Sequence, residues 1–261
     1  MKRTGDVELI HSGNVTVVEI RRAPYNFFDA GLIGDIADAF EYLDEVPDCR
    51  AVVLAAQGKA FSAGANFQSD SGQALFDGDS DRSAGDLYQH AVRLFRTRKP
   101  VVAAVQGPAV GGGLGLALVA DFRVACEHTR FSANFVQLGV HCGFGISCTL
   151  PRVIGQQKAG LMLYTGRRVD PDEALAMGLA DVLTRADRLR EGAIELAAEI
   201  AAAAPLAVES TRMTLRQGLA EAVENQLKRE LAEQLRLATT RDHAEGVKAV
   251  LERRPGTFTR S

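Results

Sequence analysis

An α/β fold with a helical C-terminal third is predicted from three observations. Two short, continuously apolar runs, Ala51–Ala56 and Val101–Val105, read as strands buried on both faces. Helical patterns separate and follow them, the alternation expected of parallel βα units. After about Pro151 no strand pair is legible, whereas Leu189–Ala203, Pro205–Gln217 and Leu219–Leu237 all carry helical patterning.

The elements follow in order. Val7–His11 and Val15–Ile20 flank Ser12-Gly13-Asn14, a hairpin signal. Asp29 can cap a helix whose apolar residues Leu32, Ile33, Ile36, Ala37, Phe40 and Leu43 keep a 3.6-residue period and stop before Pro47. Gln68 to Asp86, rich in Ser, Gly and Asp, reads as a long mobile loop. Near the C-terminus Leu219, Val223, Leu227, Leu231 and Leu235 form a stripe that must bury against the chain itself or against another subunit.

Composition narrows the function. With 46% apolar residues in 261, the chain forms a substantial core. A net charge of −3 gives no general reason to bind nucleic acid or an anionic membrane. Val101 to Val119 is broken by Pro108 and five glycines, so no membrane span is expected. Cys49, Cys126, Cys142 and Cys148 form no CxxC pair and no secretory leader opens the chain, which fits the cytoplasm. No metal site is expected.

Two glycine clusters carry the chemistry. Val101–Asp121 reads as strand, glycine turn and helix, and Gly111-Gly112-Gly113 leaves backbone N–H groups unshielded where negative charge is favoured. A dinucleotide fingerprint fails because Leu116 stands where its last glycine is needed, and no lysine follows to make a phosphate loop. The second cluster, Lys59 to Asn66, follows the strand Ala51–Ala56 and can bring another amide beside the first, which together would make an oxyanion hole. Tight helix–strand packing and an ordinary β–α connection are the plainer readings of each cluster alone.

Taken together, FSAGA at 61–65, GPAVGGG at 107–113, ADF at 120–122 and Tyr164-Thr165-Gly166 resemble the crotonase (enoyl-CoA hydratase/isomerase) superfamily over nearly the whole chain. The resemblance implies a ββα-superhelix core over residues 1–200 and a helical oligomerisation region over 201–261, in a homotrimer or homohexamer. It implies an acyl-CoA thioester as ligand, with coenzyme A part of the substrate and no separate cofactor. It assigns the thioester oxygen to the N–H groups of Ala65 and Gly112. It places the CoA moiety near Arg22, Pro24 and Ala63, with Arg253 and Arg254 as candidate basic contacts from the C-terminal helices of a neighbouring subunit.

The sequence departs from the family at its acid–base groups. The two hydratase glutamates would stand at Gly115 and Phe135, and a third carboxylate used by some relatives falls on Gly143. General acid–base groups contribute about 10²–10⁴-fold, so simple hydration is disfavoured. Phe135 adds apolar surface and Gly115 adds space, which would suit a bulkier acyl group. His141, on a glycine-rich loop expected to face the acyl pocket, is the candidate replacement, against a plain loop histidine. Cys142 reads as an inert thiol, Tyr88 and His90 as helix-surface residues, and Asp77, Asp79, Asp81 and Asp86 as solvated. Asn66, Asn134 and Gln137 could hydrogen-bond a polar acyl substituent. An atypical hydratase/isomerase, a decarboxylase or hydrolase of acyl-CoA esters, and a non-catalytic CoA-ester-binding paralogue all remain open.

Overall fold

A computed structural model of the chain describes residues 2–66 and 80–261, the side chains of 2–4 and 80–84 excepted. A seven-stranded sheet has the order β1 (Lys2–Thr4), β2 (Val7–Ser12), β3 (Val15–Ile20), β4 (Ala51–Ala56), β5 (Val101–Val105), β7 (Phe122–Cys126) and β10 (Val182–Thr184). β1 to β3 pair antiparallel, and every later pairing in this sheet is parallel. A smaller sheet runs β6 (Pro108–Val110), β8 (Arg130–Ser132), β9 (Arg168–Val169).

The central strands are apolar on both faces because both are covered. Val52, Leu54, Val101 and Ala103 join the larger core cluster, while Val53, Ala55, Val102 and Ala104 face the other way. That second face is closed by α7 (Leu189–Ala201) through Leu189, Ala193, Ala197 and Ala201. On the first face lies α1 (Ala30–Asp44), opened by Asp29, whose side chain accepts from the Leu32 N–H. Beside it packs α2 (Ser80–Phe95). The expected loop therefore ends at Ser80, and its stretch from 68 to 79, with Asp77 and Asp79, lies outside the described residues.

A six-residue helix, α3 (Gly112–Ala117), springs from β6, and a 3₁₀ turn, Asn134–Leu138, follows β8. Two consecutive helices, α4 (Ile146–Ile154) and α5 (Gln156–Thr165), precede β9, and α6 (Pro171–Met177) lies between β9 and β10. Beyond Pro151, where no strand pair was legible, β9 and β10 each pair with an earlier strand rather than with one another. At two and three residues they are too short to show alternation, and their register is set by β8 and β7.

The C-terminal helices α8 (Pro205–Leu215), α9 (Leu219–Ala238) and α10 (Arg241–Leu251) fold back on their own chain. In the α9 stripe Val223 and Leu227 are buried, and Leu219 and Leu231 pack on the core. Burial of such a side chain stabilises by about 1.5–3 kcal/mol, enough to make the intrachain seat firm. α8 is fixed by Asp121, whose carboxylate receives Arg212 Nε at 2.8 Å, Arg216 Nη1 at 2.7 Å and the Val101 N–H at 2.8 Å. The ADF stretch is thus an anchor between the sheet and α8. No helix among the described residues is long and apolar enough to cross a membrane.

Candidate functional site

The two glycine clusters meet. Ser62 bridges Ala109 in parallel register, and the Phe61 and Ser62 N–H groups donate to the Pro108 carbonyl at 3.1 and 3.2 Å. The Val110 N–H returns a bond to the Ser62 carbonyl at 3.0 Å. Gly64 has φ +77°, and a Cβ there would stand 2.8 Å from the Val110 oxygen and 3.5 Å from the Gly112 nitrogen. At Gly113 a Cβ would collide with the Ser62 carbonyl oxygen, so only glycine allows the approach. Asn26, fully buried, braces the loop from behind: its Nδ2 donates to the Gln57 and Ala60 carbonyls at 2.6 and 2.7 Å, and its own carbonyl accepts from Ser62 Oγ at 2.8 Å.

Beside this junction lies a cavity of about 380 Å³ whose lining includes Ala63, Gly64, Ala65, Gly111 and Gly112. Among the described residues neither the Ala65 nor the Gly112 N–H donates to a protein acceptor. Two open amides beside a largely apolar cavity can hold an oxygen on which negative charge develops, and they are worth most where water is excluded.

The walls are aromatic and aliphatic. Phe27, Phe28, Phe135 and Phe144 line the cavity with Leu138 and, from α10, Val250. No carboxylate, histidine, cysteine or lysine lines it among the described residues. At Gly115 a Cβ would sit 2.7 Å from Phe144 Cδ1, so the ring of Phe144 takes the space a longer side chain would need. That ring lies 5.3 Å from Phe28, and its residue adopts φ +60°, a conformation costly for a non-glycine. Phe135 faces the glycine turn, its Cζ 3.7 Å from where a Gly111 Cβ would be. A Cβ at Gly143 would collide with the Tyr88 hydroxyl.

Tyr88 is a correction to the surface reading. It is 8% exposed, lines the cavity and donates to Gln234 Oε1 on α9 at 2.6 Å. Gln234 in turn donates to the His141 carbonyl at 3.1 Å. Burial raises the Tyr88 pKa well above the ordinary phenol value, so the hydroxyl stays neutral. His90 instead sits against Gly34 and the Arg93 guanidinium, 3.0 Å away.

His141 is not brought to the cavity. Gly143 and Phe144 supply the lining from that loop, while the His141 ring turns to its own chain, Nδ1 2.8 Å from the Cys142 carbonyl. Cys142 is pushed up to about 12 by burial and by the charge of Glu230, which makes it inert as a nucleophile. Glu230, fully buried, accepts from the Gly145 N–H at 2.7 Å, the Ser147 N–H at 3.1 Å and Ser147 Oγ at 2.5 Å. It thereby caps α4 from a distant helix, although burial raises its pKa.

The other expected contacts divide. Ala63 lines the cavity, as do Asn66 and Asn134, whereas Gln137 donates outward to the Thr165 carbonyl at 3.1 Å. Arg22 is held by Asp6 at 2.5 Å and Asp29 at 2.9 Å; burial opposes its charge, but these carboxylates raise its pKa. The Pro24 carbonyl accepts from the Lys59 and Ala60 N–H groups at 2.8 and 3.2 Å. Arg253 is exposed and stands two residues beyond the wall residue Leu251, while Arg254 is paired with Glu245 at 2.5 Å and Glu252 at 2.6 Å. Asp86 is an exposed residue of α2. Sequence reading missed Phe28, Phe144, Gln234 and Arg168, the last being the cavity's only cation among the described residues.

Comparison with known proteins identifies the family and the fold. A family model for enoyl-CoA hydratase/isomerase matches residues 11–261. A Rhizobium meliloti protein named "probable enoyl-CoA hydratase" is 34% identical over 251 residues, covering 94% of this chain and 95% of its own. The human mitochondrial Delta(3,5)-Delta(2,4)-dienoyl-CoA isomerase is 30% identical over 229 residues, 84% of this chain and 70% of its own. The crystal structure of an enoyl-CoA hydratase/isomerase from Pseudoalteromonas atlantica superposes with a TM-score of 0.85 at 28% identity, covering 98% of this chain and 100% of that one. With a family model that matches residues 11–261, a relative 34% identical over 94% of the chain and a solved structure of the same fold, the chain belongs to the enoyl-CoA hydratase/isomerase family of the crotonase superfamily.

Proposed function

We propose that the protein is an enzyme that binds an acyl-CoA thioester with its carbonyl oxygen at the N–H groups of Ala65 and Gly112 and stabilises the enolate formed there, without a carboxylate pair. The observation that carries this reading is the pairing of two open amides with a cavity in which, among the described residues, no carboxylate stands. Each donor of such a pair is worth roughly 2.7–4 kcal/mol of transition-state stabilisation. The reaction proposed is one that draws on no base among the described residues of the cavity. Decarboxylation of a malonyl-type ester meets that requirement: the bond from Cα to the carboxylate breaks, its electron pair enters the thioester enolate, carbon dioxide leaves and water protonates Cα. Arg168, which forms no ion pair among the described residues, gives such a carboxylate a counter-charge at the cavity wall.

CoA itself is assigned to the side of Ala63 and the Arg22–Pro24 turn, where Arg22 acts through its position because its charge is already balanced by two carboxylates. Arg253, which forms no ion pair among the described residues, is the candidate cation, contributed by a neighbouring subunit. The protein works in the cytoplasm as a homotrimer or homohexamer. A second reading, a CoA-ester-binding relative without chemistry, is favoured by the absence of a histidine or carboxylate from the described lining.

One experiment separates these readings. Enoyl-, β-keto- and malonyl-type CoA esters are each tested for turnover and for binding. Release of carbon dioxide from a malonyl-type ester, with no hydration of crotonyl-CoA above background, is expected. Efficient crotonyl-CoA hydration overturns the first reading, and binding of the esters with no turnover of any selects the second.

A further inference from the structure

Tyr88 stands between two cavities. Besides the site cavity, a second space of about 510 Å³ lies between α2 and α9, and among the described residues Tyr88 alone lines both. The floor of the second cavity is apolar, from Val92, Leu227 and Leu231. Its rim is charged, with Arg96 paired to Glu224 at 3.0 Å and Lys228 near the same carboxylate at 3.8 Å. An apolar trough with a charged edge suits an aliphatic chain whose end approaches solvent.

The tyrosine is held in place rather than free to swing. Its hydroxyl is bonded to Gln234 Oε1 at 2.6 Å, Gln234 is only 5% exposed, and the second hydrogen bond of that amide runs to the His141 carbonyl at 3.1 Å. Against the hydroxyl lies Gly143, where even a methyl group would collide with it. Ring, amide and loop are thus packed together between the two cavities.

We infer that Tyr88 is a partition that ends the acyl cavity and restricts this protein to short or compact acyl groups, and that its removal joins the two cavities into one channel between α2 and α9. The inference rests on the acyl-CoA reading above and concerns which esters are accepted. A methylene that reaches a new apolar channel gains about 0.8 kcal/mol, equivalent to about fourfold in affinity. A methylene that meets the ring gains nothing.

Calorimetric titration with unreactive saturated acyl-CoAs, butyryl to dodecanoyl, tests this in the wild type, Tyr88→Phe, Tyr88→Leu and Tyr88→Ala. In the wild type affinity is expected to stop rising after a short chain, and Tyr88→Phe, which keeps the ring, should break at the same length. In Tyr88→Ala the break should move by at least about four carbons, with dodecanoyl-CoA gaining about 30-fold or more and butyryl-CoA changing less than about threefold. Tyr88→Leu, which preserves apolar packing, should show the same shift in smaller measure and serves if the alanine variant does not fold. Should the break stay put in both shortened variants, or be missing from the wild type, the partition is overturned while the acyl-CoA reading stands. Failure of the wild type to bind any ester overturns that reading and the partition with it.

Discussion

Phe144 and His141 lie three residues apart on one loop, yet the loop sends Phe144 into the cavity and turns His141 back on itself. A ring nitrogen occupied by the Cys142 carbonyl and absent from the cavity lining has no path to a substrate carbon. His141→Ala is therefore expected to change turnover by less than about threefold, whereas a tenfold loss at unchanged CoA-ester affinity would return the histidine to the chemistry. Phe144 also governs any attempt to introduce a glutamate at Gly115. Gly115→Glu forces a Cβ to 2.7 Å from the ring, an overpacking that costs about 1–3 kcal/mol and should lower the melting temperature by several degrees. Phe144→Ala should not rescue it, because Phe144 Cβ would still stand 2.9 Å from the new Cβ, and an unchanged melting temperature in Gly115→Glu would contradict this account of the packing. At this scale part of the site was legible: the glycine turn at 111–113 was marked by its spacing, Ala63 and Ala65 only by the family resemblance, and all line the cavity except Gly113. Phe28, Phe144 and Tyr88 were not legible, because an aromatic residue looks alike in sequence whether it fills a core or a site.

The elements show the same division. Strands buried on both faces, such as Ala51–Ala56 and Val101–Val105, announce themselves as apolar runs, and Asp29 announces the start of α1. β9 and β10 do not, since their pairing is decided by neighbours far away in the chain. Nor does sequence reveal that Asp121 joins α8 to the sheet. Burial raises the pKa of its carboxyl, but Arg212 and Arg216 outweigh burial and hold it below the usual carboxylate range. A lowered folded pKa supplies stability that is present above the unfolded value near ~3.9 and is lost as pH falls through the folded value. Asp121→Asn should cost about 3–5 kcal/mol at neutral pH by leaving two guanidiniums buried without their counter-charge. The gap between variant and wild type should narrow in acid, as urea titrations at pH 7 and pH 3 would show. An equal gap at both values would remove the pair from the stability account.

In the whole molecule the helices of residues 219–251 complete the same cavity that the glycine loops open, through Gln234, Val247, Val250 and Leu251. These helices therefore serve the site of their own chain, and the C-terminal region still leaves outward surfaces for assembly. α8 offers one: Leu206, Met213 and Leu215 are 80%, 71% and 82% exposed. Sedimentation equilibrium should give three or six times the mass of one chain, and Met213→Glu with Leu215→Glu should reduce it; a monomeric wild type would contradict the proposed assembly. The central claim concerns the thioester, and a crystal structure with an unreactive acyl-CoA tests it most directly. It predicts the thioester oxygen about 2.7–3.1 Å from both the Ala65 and Gly112 nitrogens, with Phe135 and Phe144 beside the acyl carbons and no carboxylate among them. A thioester oxygen held elsewhere, or a carboxylate side chain against Cα or Cβ, would contradict it.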